Sequence, residues 1–101
     1  MEVRHDDPEL AQAEADPYYR GKWAQPLLRS FRKAMILIRA VRNETALYQR
    51  KGLRLEKLQG NRSHQHSMRL NDQWRLIVEF ASRPGPDNNL CVVKGIEDYH
   101  P

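Results

Sequence analysis

The sequence has little of what stabilises small exported domains or anchors proteins in membranes. Its single cysteine, Cys91, excludes an internal disulfide and a zinc site built from cysteines. No stretch approaches the roughly 20 apolar residues of a membrane span, and the N-terminus carries carboxylates where an export signal has basic residues. We therefore expect a cytoplasmic protein without membrane contacts. Cys91 lies in an apolar run, which predicts a buried thiol.

Aromatic residues are also scarce, at 8% against 30% charged residues. A chain of 101 residues with this composition is predicted to form one domain over residues 1–101, with a modest core. Acidic residues are concentrated at the start, where they outnumber the bases. Residues 1–16 hold one arginine and six acids, a net charge of −5, so the other 85 residues carry +9. The sequence thus predicts an acidic N-terminal elaboration of about 16 residues on a basic body.

The basic body suggests a polyanionic partner, since many of its bases are arginines, whose planar fork fits phosphate. A solvated, solubilising surface would give the same composition. Charge alone leaves both interpretations open.

Two helices are predicted in the first half of the chain. Asp7 followed by Pro8 is typical of an N-cap and first helical position, and Pro17 ends that short helix. The second helix is strongly amphipathic. A membrane-surface helix would look similar, but the apolar stripe along this helix has the width expected of a helix that faces a protein core. Its apolar residues are Leu27, Leu28, Phe31, Ala34, Met35, Ile38 and Val41. A turn and a short helical piece are expected over residues 43–51.

From Gly52 the apolar period changes from about 3.6 to 2, and four strand-like runs follow, separated by turn residues. The sequence therefore predicts an α+β fold, with N-terminal helices on one face of a mainly antiparallel sheet of four to five strands. Trp74 has the strand parity of Leu76, Val78 and Phe80, which predicts a core position.

The alternation of side chains along these strands gathers charge on the face away from the helices. Arg69 and Arg75 flank a three-residue turn, so they are predicted to face the same side of adjacent strands. Like charges in that position repel unless an anion lies between them. A phosphate site is one resolution, and neutralisation by nearby glutamates is the other. The face is predicted to hold Arg54, Glu56, Arg69, Arg75 and Glu79.

The histidines do not predict a metal site. His64 and His66 lie two residues apart and would point the same way on a strand, but no third ligand is identifiable. We interpret His66 as a half-buried packing residue and His5 as a surface residue. No metal and no cofactor are expected.

Three segments in order resemble the HigB-like toxins of the RelE/ParE superfamily, also called the plasmid maintenance system killer family. They are LEKLQGNR at residues 55–62, QHSMRLNDQWRL at 65–76 and EDYH at 97–100. The resemblance covers about half of the chain and implies a RelE-like, microbial-ribonuclease-like fold. It also implies a type II toxin that cuts messenger RNA on the ribosome, without a metal, and is neutralised by an antitoxin, expected to be a HigA-like helix-turn-helix protein.

Carried onto this sequence, the resemblance implies a site at the chain end and on the open sheet face. Arginines stay protonated, so they can only bind or stabilise phosphate, and the acid and base must be other groups. His100, Asp98 and Glu56 are the candidates, and Tyr99 is expected to stack on a base or position the phosphate. The predicted catalytic residues are His100, Asp98, Tyr99, Arg75 and Glu56, and the predicted RNA-binding residues are Arg54, Lys57, Arg62 and Arg69.

The chain also departs from the family pattern. Some relatives place a histidine near Glu56 and a lysine near Gln59, and this chain has neither. The division of acid and base roles therefore stays open. Two alternative functions remain: a ParE-like inhibitor of DNA gyrase, against which the D-Y-H end argues, and a catalytically inactive binding or regulatory protein of the same fold.

Overall fold

A sheet of five strands, covered on one face by helices, forms the domain. The computed structural model describes residues 1–82 and 89–99, without the side chains of residues 82 and 89. The helices are α1 (Pro8–Ala15), α2 (Gln25–Ala40) and α3 (Glu44–Tyr48), and short 3₁₀ turns span Lys51–Leu53 and Gly60–Arg62. The strands are β1 (Glu2–His5), β2 (Glu56–Lys57), β3 (His66–Arg69), β4 (Trp74–Ser82) and β5 (Asn89–Asp98). This arrangement confirms the predicted α+β class.

The strand order is β1-β5-β4-β3-β2, with every neighbouring pair antiparallel except β1 and β5. The parallel β1 was not predicted, because residues 1–5 have no clear period. It places the acidic N-terminal segment at one edge of the sheet, where Asp6 accepts a hydrogen bond from the Lys94 Nζ at 2.6 Å.

The two predicted helices begin and end close to their expected positions. The Asp7 side chain accepts a hydrogen bond from the Glu9 backbone N–H, and Pro8 occupies the first turn of α1, as expected of a capped start. All seven residues of the predicted apolar stripe around α2 are buried. Phe31, Met35 and Ile38 lie in one core cluster with Met68 and other residues of the sheet.

We call the side of the sheet that packs on these helices the helix face. It carries Leu76 and Val78 of β4 and Cys91 and Val93 of β5, all fully buried. The predicted buried cysteine is confirmed, and burial raises the pKa of the Cys91 thiol to about 12. Trp74 is half-buried at the margin of this core and meets the ring of Trp23 edge to face.

Candidate nucleic-acid cleft

The opposite side of the sheet, here called the open face, contains a cleft of about 350 Å³. Its floor is apolar, with the half-buried Leu58 beside the buried Ile77, and its rim is charged. Such a mixture suits a ligand that has both flat rings and phosphates. The residues that line it are Glu56, Leu58, Arg62, Ser67, Arg75, Ile77, Glu97, Asp98 and Tyr99.

Arg69 and Arg75 are direct partners across β3 and β4, which confirms the prediction that they share the open face. Each guanidinium has its own local partner, so the expected repulsion is relieved within the chain. Arg69 donates to the Asp72 carboxylate, and Arg75 donates to the Asn71 carbonyl at 2.6 Å. The Arg75 guanidinium also lies over the Tyr99 ring, 4.0 Å from its centroid. Arg75 lines the cleft, whereas Arg69 lies outside the lining.

A bulge in β5 decides which acidic residue faces the cleft. Ile77 pairs with Gly95 and Val78 with Val93, so Lys94 is an extra residue that has no partner on β4. Because one added residue reverses the alternation, Ile96 returns to the helix face and Glu97 points to the open face, opposite Arg75. The sequence interpretation missed Glu97 as a site residue. The three-residue spacing from Val93 to Ile96, with Gly95 between them, was the available signal.

Glu97 holds Arg62 through two parallel hydrogen bonds of 2.9 and 2.8 Å. The third donor of this guanidinium, Nε, reaches the Gln65 side-chain oxygen at 2.9 Å. The hydrogen bond to Glu97 raises the pKa of Arg62, a side chain that is cationic at working pH in any case. The predicted phosphate-binding Arg62 is therefore in the cleft, but paired with a carboxylate.

The end of the chain contributes Asp98 and Tyr99 to the lining. Tyr99 is 42% exposed, and its backbone N–H donates to the Gln73 carbonyl at 2.6 Å. Asp98 pairs with Trp74, so the strand register puts its side chain on the side of Trp74 and away from that of Arg75. Its carboxylate accepts a 3.4 Å hydrogen bond from the Gln73 amide. His100 lies outside the described residues.

Glu56 lines the cleft as predicted, on β2 opposite Ser67, and its side chain is exposed. Two predicted RNA-binding residues lie elsewhere. Lys57 pairs with His66 and so faces away from the cleft. The prediction that Arg54 and Glu56 lie on one face of the same strand is wrong: Arg54 follows a 3₁₀ turn, has a left-handed backbone (φ 47°) and precedes β2.

The predicted neutralisation by Glu56 and Glu79 also takes a different form. Glu79 lies on the open face but accepts from Gln65 at 3.0 Å and lies 3.8 Å from the Lys94 Nζ. The carboxylates that pair with the arginines are those of Asp72 and Glu97.

Two of the three histidines in the described residues, His5 and His66, pack within the fold. His66 is buried between the rings of Tyr48 and Phe80, as predicted for a packing residue, and burial lowers its pKa. The prediction of a surface His5 is wrong. Its side chain is only 10% exposed, and its Nε2 lies 2.7 Å from the Glu14 carboxylate. Over residues 1–82 and 89–99, no group of three histidine, cysteine or acidic side chains is arranged to hold a metal ion.

A comparison with family models gives a match over residues 19–100, to the family described as RelE-like toxin of type II toxin-antitoxin system HigB. The chain belongs to this HigB-like toxin family. The match contains the whole described cleft and excludes β1 and α1, so the acidic start lies outside the family pattern. The comparison with curated proteins gave no significant match.

Membership makes the protein a toxin of a type II toxin-antitoxin system, for which an antitoxin is the expected partner. Among the described helices of the toxin, none combines the length and the apolar character needed to cross a membrane.

Proposed function

We propose that this toxin is a metal-independent endoribonuclease that cuts messenger RNA on the ribosome. The observation that carries the proposal is the cleft itself, where two arginines, an exposed tyrosine ring and carboxylates surround an apolar floor. Arg62 and Arg75 supply charge for a phosphate, and the Tyr99 ring offers a surface on which a base can stack.

The cleavage would use the ribose 2′-hydroxyl as the nucleophile. This oxygen attacks the adjacent phosphorus, the bond to the 5′-oxygen of the next nucleotide breaks, and a 2′,3′-cyclic phosphate is left. A base must take the 2′-proton, an acid must protonate the leaving oxygen, and cations must stabilise the charge that builds on the phosphate. The nucleophile is already part of the substrate, so positioning supplies much of the rate.

The residues of the cleft fit these roles. Arg75, at the beginning of the central strand β4, lines the cleft and is the main candidate for stabilising the transition state. Glu56 is an exposed carboxylate within the lining and is the base candidate on the sheet. His100 follows Tyr99 in the chain and is the candidate acid, because an imidazole exchanges protons near neutral pH. Asp98 is proposed to orient His100 rather than to act as base itself, because the strand register puts its side chain on the side of Trp74 and away from Arg75.

The proposed partners follow from charge and family. Outside the first 16 residues the chain carries +9, which favours both ribosomal RNA and an acidic or partly acidic antitoxin. We expect a HigA-like helix-turn-helix antitoxin and a cytoplasmic site of action. The DNA gyrase inhibitor and the inactive binding protein remain the competing functions.

Induction of the toxin in growing cells, followed by mapping of RNA ends, tests the proposal. We expect growth arrest and cuts within translated reading frames, with cyclic phosphate ends. The His100→Ala variant serves as the control, and it should lose activity by about a hundredfold, the range for removal of a general acid or base. Intact message together with inhibited DNA gyrase would contradict the proposal, and intact message without growth arrest would indicate an inactive binding protein.

A further inference from the structure

Glu97 occupies an unusual place for an acidic residue in a cleft meant for RNA. It lies directly across from Arg75 on the neighbouring strand, and both of its carboxylate oxygens bind Arg62. The β5 bulge is what turns this side chain toward the cleft. A negative charge here repels a polyanionic ligand, so its position suggests a role of Glu97 in the recognition of that ligand.

A carboxylate and a phosphate present the same pair of oxygens to an arginine fork. In the free protein the two terminal nitrogens of Arg62 are used by Glu97, while its Nε is held by Gln65. The bond to Gln65 does not depend on Glu97, so it would keep the guanidinium in place if the carboxylate left. Arg62 is thus oriented for an anion, but its anion position is filled.

The pair is weak enough to exchange. The Arg62 and Glu97 side chains are 43% and 47% exposed, and ion pairs with that exposure contribute little net free energy because water competes for both partners. A ligand that also contacts Arg75 and Tyr99 has additional binding energy with which to displace the carboxylate. An isolated phosphate, or a polyanion that touches Arg62 alone, does not.

We propose that Glu97 is a displaceable counter-anion that fills the phosphate position on Arg62 and thereby restricts the cleft to RNA strands that also engage its other groups. Glu97 is in this sense a specificity-determining and positioning residue. The inference rests on the proposed function, because it assumes that the ligand is RNA.

The test is equilibrium binding without ribosomes, using two probes: a short 2′-O-methyl RNA, which cannot be cleaved through its 2′-oxygen, and inorganic phosphate. Glu97→Gln should bind the RNA about fivefold more tightly than the wild type, since a competitor of surface ion-pair strength is removed. It should also gain measurable phosphate binding. Glu9→Gln, an exposed position on α1 far from the cleft, is the control for the same change in net charge.

A second arm asks whether the gain passes through Arg62. In an Arg62→Ala background, Glu97→Gln should tighten RNA binding no more than Glu9→Gln does. A full gain in that background would mean that Glu97 acts by general repulsion, and the inference would be overturned. Glu97→Ala repeats the comparison with a side chain that cannot hydrogen-bond, and melting curves establish that each variant is folded.

The two proposals fail in different ways. If Glu97→Gln and Glu9→Gln bind RNA equally, the counter-anion inference is wrong, whether or not the toxin cleaves messages. If Glu97→Gln gains phosphate binding only through Arg62 while no message is cut in cells, the anion site stands and the ribonuclease proposal fails.

Discussion

The two faces of the sheet use charge in opposite ways. On the helix face, the Glu14 carboxylate binds Arg39 at 2.6 and 2.8 Å and lies 2.7 Å from His5, and its side chain is only 18% exposed. On the open face, the Arg62–Glu97 pair has nearly the same geometry, but its carboxylate is more than twice as exposed. The first pair ties α1 to α2 and β1, whereas the second connects a short 3₁₀ turn to the end of β5.

This difference separates the fold from the site within the same strands. Residues 74, 76 and 78 of β4 build the helix face, and residues 75, 77 and 79 build the open face. Substitutions on one face should therefore act mainly on stability, and those on the other mainly on activity. The predictions below test that separation.

The largest effect is expected from Phe31→Ala. Phe31 is fully buried on α2 under the helix face, and its truncation leaves a cavity that should lower the free energy of unfolding by about 3–5 kcal/mol. Denaturant titration followed by far-ultraviolet circular dichroism measures this loss. Ile36→Ala on the same helix is the control: Ile36 is 68% exposed, so its truncation should cost roughly 0.5 kcal/mol or less. Equal losses at both positions would show that α2 does not pack as described.

Arg75→Ala is expected to lower the activity with little effect on stability. The variant should cleave messages about 10²- to 10³-fold more slowly, the range for loss of a preorganised charge at the transition state. Its melting temperature should change little, since the Arg75 guanidinium binds the exposed Tyr99 ring and two backbone carbonyls near the strand end. Single-turnover cleavage on programmed ribosomes measures the rate. Arg75→Lys keeps the charge without the planar fork, and its cleavage rate should fall between those of the wild type and Arg75→Ala. A wild-type rate for Arg75→Ala would show that Arg75 is not part of the site.

Most of the helix face could be predicted from the sequence because its signal is repeated many times. The stripe of α2 has seven apolar members, and β4 alternates over several residues, so a single misplaced residue does not change the prediction. The pairing of Arg69 with Arg75 followed from the same alternation across a short turn. The type of fold and the position of the open face could therefore both be predicted from the sequence.

The details of the site were harder to predict from the sequence because they depend on local irregularities of the backbone. Lys94, which has no backbone partner on β4, turns the Glu97 side chain to the cleft and that of Asp98 to the other side. The left-handed backbone of Arg54 places this residue outside the predicted strand. The parallel pairing of β1 with β5 joins residues about 90 positions apart, and nothing in the first five residues signals it. Bulges and long-range pairings carry little local sequence signal.

The smallest effect, and the sharpest test of the contrast between the faces, concerns Glu14. The hydrogen bond from Arg39 holds the pKa of Glu14 below its ordinary value of 4.5. A carboxylate with a lowered folded-state pKa stabilises the fold above its unfolded pKa, and that contribution is lost as the pH falls through the folded value. Glu14→Gln should therefore lower the free energy of unfolding by about 1 kcal/mol near neutral pH.

The difference between the wild type and Glu14→Gln should shrink steadily as the pH falls below 4.5, because the wild-type carboxylate then takes up a proton and loses its ion pair. Denaturant titrations at a series of pH values measure it. Glu97→Gln is the matched control on the open face, and it should be as stable as the wild type throughout, since its pair with Arg62 is exposed. If Glu97→Gln destabilises the protein as much as Glu14→Gln does, the pair in the cleft is structural. The separation of fold and site between the two faces would then be wrong.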